Sequence, residues 1–247
     1  MDAGGGREPV LTRTLHVPET GSTNADLRSF ARDGYGEHGL WLRADRQTAG
    51  RGREGRAWQS PVGNLYASTL VRLAAGDPPA PTLALVAAVA LEETVRAVLP
   101  DAGALRIKWP NDLLLDGAKL SGILLERVEE WVVIGFGVNV TNHPNVVERA
   151  TTSLRAAGAT IDAAALQGEL AATLARWHGR WREDGLGAVT QRWRERAHPP
   201  GTELRARLPD GSEWHGRFET LDRGGALVLR LADGTQRVMH AGDIFLL

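Results

Sequence analysis

KWPNDLLLDGAKLSGILLERVEEWVVIGFGVNV, residues 108–140, decides the fold. Residues 105–109 and 113–115 are short strand-like runs. Asp116-Gly117 is a hairpin turn signal, and residues 120–126 read as the return strand. Residues 131–140 are dense in β-branched side chains and read as a central strand. A sheet is therefore the organising element.

Working outward, residues 82–99 form a long helix that is apolar on most sides and hence buried. Residues 74–81 are a loop, 64–73 a β-rich run, and 47–63 a glycine-rich loop. Residues 40–44 are a short strand. Further upstream, Gly21-Ser-Thr-Asn24 opens a helix with Leu27, Phe30 and Ala31 on one face. Ser22 or Thr23 suits the N-cap, Asp26 sits in the first turn where the helix dipole favours an anion, and Gly34 suits the stop. Residues 10–17 read as a strand, and the first few residues as disordered.

Downstream, residues 163–181 carry Leu166, Leu170, Leu174, Trp177 and Trp181 at helical spacing, and residues 186–196 continue as helix. His198-Pro-Pro-Gly201 is the clearest boundary, which divides the chain into residues 1–197 and 198–247. Beyond it, short strands punctuated by Asp210-Gly211, Gly224-Gly225 and Asp233-Gly234 suggest a small β-barrel packed on the larger domain.

Composition narrows the function. The chain has 247 residues and a formal net charge of −1, which argues against a surface devoted to nucleic acid. It has no cysteine, so disulfides, thiolate catalysis and cysteine-ligated metals are excluded. The seven histidines show no metal-ligand spacing, and no structural metal is expected. Glu92, Glu93 and Arg96 interrupt the best candidate membrane span, and MDAGGGREP at the N-terminus, with no basic region followed by an apolar one, does not read as a signal peptide. The default location is the cytoplasm.

Four segments carry chemistry. In QTAGRGREGRAW (47–58), Arg51, Arg53 and Arg56 alternate with Gly50, Gly52 and Gly55. Glycines let backbone amides approach phosphate, guanidinium groups grip phosphate or carboxylate, and Trp58 can stack on a base. The glycines also spell G-x-G-x-x-G. The dinucleotide fingerprint needs a following helix, and Pro61, Gly63 and a β-rich run follow instead. Alone, the segment reads equally well as a solvated basic loop. In KWPND (108–112), Asp112 can hold Mg²⁺ beside phosphates, although Asn-Asp after proline is also ordinary turn chemistry. Lys119 in KLSG (119–122) is either a surface charge or, pointing inward, a cation for a carboxylate or phosphate. Asn139 ends the apolar run GFGVN and needs hydrogen-bond partners, as a site residue or as a strand-end cap.

In this chain order, GSTN (21–24), QTAGRGREGRAW (47–58), KWPNDLLL (108–115), KLSGILLE (119–126) and GFGVNV (135–140) together resemble the biotin–protein ligases. The resemblance implies an α+β fold: a mixed β-sheet flanked by helices in a class II synthetase-like catalytic domain, with a small C-terminal SH3-like β-barrel. It implies formation of biotinyl-5′-AMP from biotin and MgATP, with release of pyrophosphate. Transfer of biotin to one lysine of a biotin carboxyl carrier domain follows. Ser22, Thr23 and Asn24 would line the biotin site, and Gln47 would hydrogen-bond the biotin rings. Arg51, Gly52, Arg53 and Lys119 would wrap the carboxylate and then the adenylate phosphate, with Gly122 beside them. Arg56 would lie near the ATP phosphates, Trp58 near adenine, Asn111 and Asp112 by phosphate and metal, and Asn139 near adenine or ribose. Arg51, Arg53, Lys119 and Asp112 would carry the catalysis, and the loop at 50–58 would close over the acyl-adenylate.

Some members of that family begin with a DNA-binding winged helix. About twenty residues precede GSTN, so the enzyme-only form without DNA binding is expected. Ala57 stands where the stretch often carries a basic residue. Members include monomers and dimers, so a homodimer stays open. A lipoate or octanoate ligase of the same fold is the alternative enzyme. A non-enzymatic binding module is disfavoured by the near-zero charge and by Trp58 being the one aromatic among the arginines.

Overall fold

The computed structural model describes residues 13–146 and 149–247. The expected N-terminal disorder, and residues 10–12 of the first expected strand, lie outside them. No helix among the described residues is long and apolar enough to cross a membrane.

Seven strands form one sheet in the order β1-β2-β3-β7-β6-β5-β4. These are β1 (Thr14–Thr20), β2 (Trp41–Gln47), β3 (Leu65–Arg72), β4 (Leu105–Lys108), β5 (Asp112–Leu115), β6 (Ala118–Val128) and β7 (Trp131–Val138). The sheet is mixed. β1 pairs in parallel with β2, and the other pairs are antiparallel. β1 extends past the expected strand because Glu19 and Thr20 pair with Arg46 and Gln47. Pro18 is tolerated because β1 is an edge strand, where a missing N–H costs little. Between β5 and β6, Asp116 (φ 50°) and Gly117 (φ 75°) are both left-handed, as a two-residue hairpin turn requires.

β7 lies mid-sheet, and its alternation assigns the two faces. Val132, Ile134, Phe136 and Val138 point into the main core, whereas Trp131 and Val133 point to a smaller cluster on the opposite face. α2 (Leu83–Val98), α3 (Ala163–Asp184) and α4 (Gly187–Arg196) cover the first face. The stripe Leu166, Leu170, Leu174, Trp177 and Trp181 on α3 is wholly buried, and the Trp181 indole donates to Thr82 Oγ1 at 2.8 Å. Each such apolar side chain contributes about 1.5–3 kcal/mol of burial.

On the opposite face, α1 (Thr23–Arg32) packs Leu27 and Ala31 against Leu40, Leu42, Leu70 and Val133. Ser22 caps its start, and Gly34 (φ 82°) lies just past its end. The next two positions on this face of β7 are Gly135 and Gly137, so the sheet is left bare beside α1.

After α4 come β8 (Glu203–Arg207), β9 (Glu213–Leu221), β10 (Leu227–Arg230), β11 (Gln236–Met239) and β12 (Asp243–Leu246). They form an antiparallel sheet ordered β11-β10-β9-β8-β12, open between β11 and β12. Leu204, Phe218, Leu227 and Ile244 of this sheet share one core with Ile107, Trp109 and Trp193.

Candidate active site

The bare stretch of β7 is the floor of a cleft. A Cβ at Gly135 would overlap the Asn24 carboxamide, and a Cβ at Gly137 would lie 2.6 Å from the Trp58 indole. Gly137 pairs with Gly122 on β6, so a flat patch of backbone carries the indole.

One end of the cleft is a hydrogen-bonded chain of neutral groups. The parallel register of β1 and β2 brings Gln47 to the start of α1, where its Oε1 accepts from Thr23 N at 2.9 Å and from Thr23 Oγ1 at 3.2 Å. Gln47 Nε2 donates to Ser60 Oγ at 3.2 Å. Thr23 Oγ1 and Ser68 Oγ are 2.7 Å apart, and Ser68 donates to Asn24 Oδ1 at 2.6 Å. Asn24 Nδ2 donates to Glu126 Oε2 at 2.9 Å, and Glu126 is held by Arg28 at 2.6 Å. Ser22, Thr23 and Asn24 are buried. Donors and acceptors fixed in this way form a rigid polar network at this end of the cleft.

The other end is cationic. Arg51, Arg53, Arg56, Lys119 and Arg149 line it, opposed by Asp112 and Asp243. The loop folds on itself: Gly52 N donates to Arg56 O at 2.7 Å, and Trp58 N donates to Gly50 O at 2.9 Å. Glu54 (φ 57°) and Gly55 (φ 72°) make its tip. Lys119 Nζ donates to Asp112 Oδ1 at 2.6 Å and lies 5.6 Å from the centre of the Trp58 ring. Burial pushes the Lys119 ammonium below its ordinary 10.5, and Asp112 pulls the other way. Lys108 is pushed down by burial as well.

Of the residues singled out from sequence, Ser22, Thr23, Asn24, Gln47, Arg51, Gly52, Arg53, Arg56, Trp58, Asn111, Asp112, Lys119 and Gly122 all line this one cleft. Asn111 does so with its amide already committed, donating to Ile123 O at 2.5 Å. Asn139 is not brought to the wall. It is buried, and its Nδ2 donates to Thr152 O at 3.0 Å and Lys119 O at 3.5 Å, so it holds the backbone behind Lys119.

Residues 21–139 match the Biotin/lipoate A/B protein ligase family, and residues 201–247 match the Biotin protein ligase C terminal domain. The chain is 37% identical over 240 residues to a biotin–[acetyl-CoA-carboxylase] ligase of Paracoccus denitrificans, covering 93% of this chain and 98% of that protein. The chain belongs to the biotin protein ligase family. A biotin–[acetyl-CoA-carboxylase] ligase of Mycobacterium tuberculosis is 36% identical over 239 residues, covering 92% of this chain and 86% of that one. In fold, the chain is similar to a biotin protein ligase from Aquifex aeolicus in complex with biotin and ATP. There the TM-score is 0.84 at 23% identity, with 96% of this chain and 99% of that one covered.

For this biotin protein ligase family member, sequence reasoning missed three kinds of site residue. Gly135 and Gly137 carried a faint signal, since glycine inside a β-branched strand often marks close approach of another group. Arg149 stands among ordinary loop residues. Asp243 had no local signal at all, because its partners lie 190 and 187 residues away.

Proposed function

We propose that this chain condenses biotin with ATP to biotinyl-5′-AMP, releases pyrophosphate, and passes biotin to one lysine of a biotin carboxyl carrier domain. The observation that carries the reading is the meeting of a neutral, hydrogen-bonded pocket end (Ser22, Thr23, Asn24, Gln47) with a cationic end (Arg51, Arg53, Arg56, Lys119) in one cleft.

The first step brings a carboxylate oxygen against the α-phosphate, and both groups are anionic. Arg51, Arg53 and Lys119 would offset that repulsion and stabilise the charge that develops at phosphorus. Arg56 would reach the outer phosphates, Gly52 lets backbone approach them, and Trp58 on the Gly122–Gly137 patch would cover the adenylate. Lys119 is ion-paired to Asp112, so an arriving anion would take over the ammonium and free the carboxylate. Among the described residues no three histidine or carboxylate groups cluster. Asp112 would therefore hold Mg²⁺ jointly with nucleotide phosphates, an arrangement this ion favours, and the ion would supply further charge neutralisation. In the second step the attacking lysine must be neutral, and a freed Asp112 would take its proton. Asp112→Ala that formed the adenylate and transferred biotin at the normal rate would exclude that role. Asn139 would act from behind Lys119 rather than on the nucleotide.

Residues 1–197 would form the catalytic domain, and the open sheet of residues 198–247 would be its SH3-like companion. The deciding experiment is exchange of labelled pyrophosphate into ATP. Exchange that requires biotin, followed by labelling of one lysine on a carrier domain, is the expected result. Exchange with lipoate or octanoate instead, or with no acid, would overturn the reading.

A further inference from the structure

The arginine loop is held from far away in the chain. Asp243 Oδ1, at the start of β12, accepts from Arg53 Nη1 at 3.2 Å, and the carbonyl of Gly242 accepts from the same nitrogen at 3.0 Å. Asp243 Oδ2 accepts from Arg56 Nη2 at 2.6 Å and from Arg207 Nη2 at 3.5 Å. The Asp243 side chain is only 14% exposed. Among the described residues, every hydrogen bond that ties residues 53–56 to anything outside the loop runs to Gly242 or Asp243. The loop's own backbone is a left-handed Glu54-Gly55 tip beside Gly52, with little preference for one shape.

A carboxylate bridging two guanidinium groups offers them the same bidentate anion chemistry as a phosphate. We propose that Asp243 is a positioning residue contributed by the C-terminal sheet. It stands in for the nucleotide's phosphate, holds Arg53 and Arg56 over the cleft before nucleotide arrives, and yields them to it afterwards. This rests on the reading that these two arginines take phosphate oxygens. Arg207 makes the exchange feasible. It keeps a cation beside Asp243 when the loop arginines let go, so the carboxylate is not stranded without a partner in a largely buried place. The C-terminal sheet thereby shapes a site whose chemistry lies on the other domain.

Trypsin cuts after arginine, so limited tryptic digestion reads the loop directly. Cleavage after Arg51, Arg53 and Arg56 tracks how often the loop is open. Without ligands, Asp243→Asn should be cut there on the order of tenfold faster than wild type, the scale of one lost charge-assisted hydrogen bond. Asp243→Glu should restore most of the protection. With biotin and MgATP bound, wild type and Asp243→Asn should be cut equally slowly, because the phosphate has replaced the carboxylate. Cleavage elsewhere in the same digest separates loop opening from unfolding. Rising salt should also speed loop cleavage of ligand-free wild type by screening the pair. Equal ligand-free rates would overturn the proposal. So would a difference that persists undiminished with ligands, since a fixed structural tie behaves that way. Failure of biotin and ATP to protect either protein would instead remove the phosphate reading, and the stand-in role with it.

Discussion

A side chain at Gly135 would drive its Cβ into the carboxamide of Asn24, which Ser68 and Glu126 hold from both sides. At Gly137 the obstacle is the Trp58 indole, on a loop with freedom to shift. The two alanine variants should therefore differ. Gly135→Ala is expected to cost about 1–3 kcal/mol, the scale of core overpacking, whereas Gly137→Ala should leave stability nearly unchanged while displacing the indole. Urea unfolding of both variants checks this, and equal losses would contradict it. Ser121 is the opposite case. It is fully buried, and its hydroxyl has no hydrogen-bond partner. Ser121→Ala removes an unsatisfied polar group, so it should be neutral or stabilising by up to about 1 kcal/mol. A clear drop in thermal midpoint would reveal a partner for the hydroxyl. Arg149 and Asp243 aside, the polar residues that line the cleft were legible in sequence because they come in contiguous runs at strand and helix ends. The direction in which Asn139 points was not legible, because a strand-end amide serves equally as ligand contact or as cap.

Element boundaries followed from periodicity where one face is buried. The stripe on α3 and the apolar α2 were both plain in sequence. Among the charged side chains that break the apolar pattern of α2, the fully buried one ties it to a neighbour. Glu92 has no exposed surface, and its carboxylate takes Arg96 at 2.5 Å, with Arg192 and Arg196 of α4 each at 3.8 Å. In sequence Glu92 served only to argue against a membrane span, because charge partners 100 residues on cannot be read from spacing. Removing the shared carboxylate would leave three guanidinium groups facing one another. Glu92→Leu is expected to cost about 3–5 kcal/mol, as breaking buried ion pairs does. Denaturant unfolding measures it, and a loss under 1 kcal/mol would mean that the arginines find water instead. The parallel β1–β2 pairing was equally hidden, since strand patterns carry no direction. Yet that pairing delivers Gln47 to Thr23.

At the scale of the molecule, two histidines sit where protons are unwelcome. Burial, aided by Arg182, pushes His178 down to about 4, and burial with Lys108 and Arg106 does the same to His198. The unfolded chain titrates near 6.5, so between these values it binds more protons than the native one. The stability due to neutral histidine is complete above pH 6.5 and is lost as pH falls towards 4. For the buried His178 the loss reaches about 3 kcal/mol. Urea midpoints measured from pH 7 to pH 5 should fall, and His178→Gln should flatten the slope. A flat wild-type profile would contradict this. The open edge of the C-terminal sheet was not foreseen from turn spacing, because turns mark strand ends and say nothing of closure; its packing on the rest of the chain was expected, and the common core with Ile107 and Trp109 is where it occurs. One last consequence concerns light. Six of the eight tryptophans are buried, and their emission should stay constant while the fold is intact. Trp58, half-buried beside the Lys119 ammonium with a free indole N–H, rides on the loop that Asp243 holds. The enzyme thus carries its own optical gauge: of the two half-buried tryptophans, Trp58 and Trp214, only Trp58 lines the cleft, and a change in intrinsic fluorescence on adding substrate that Trp58→Phe abolishes would report movement there.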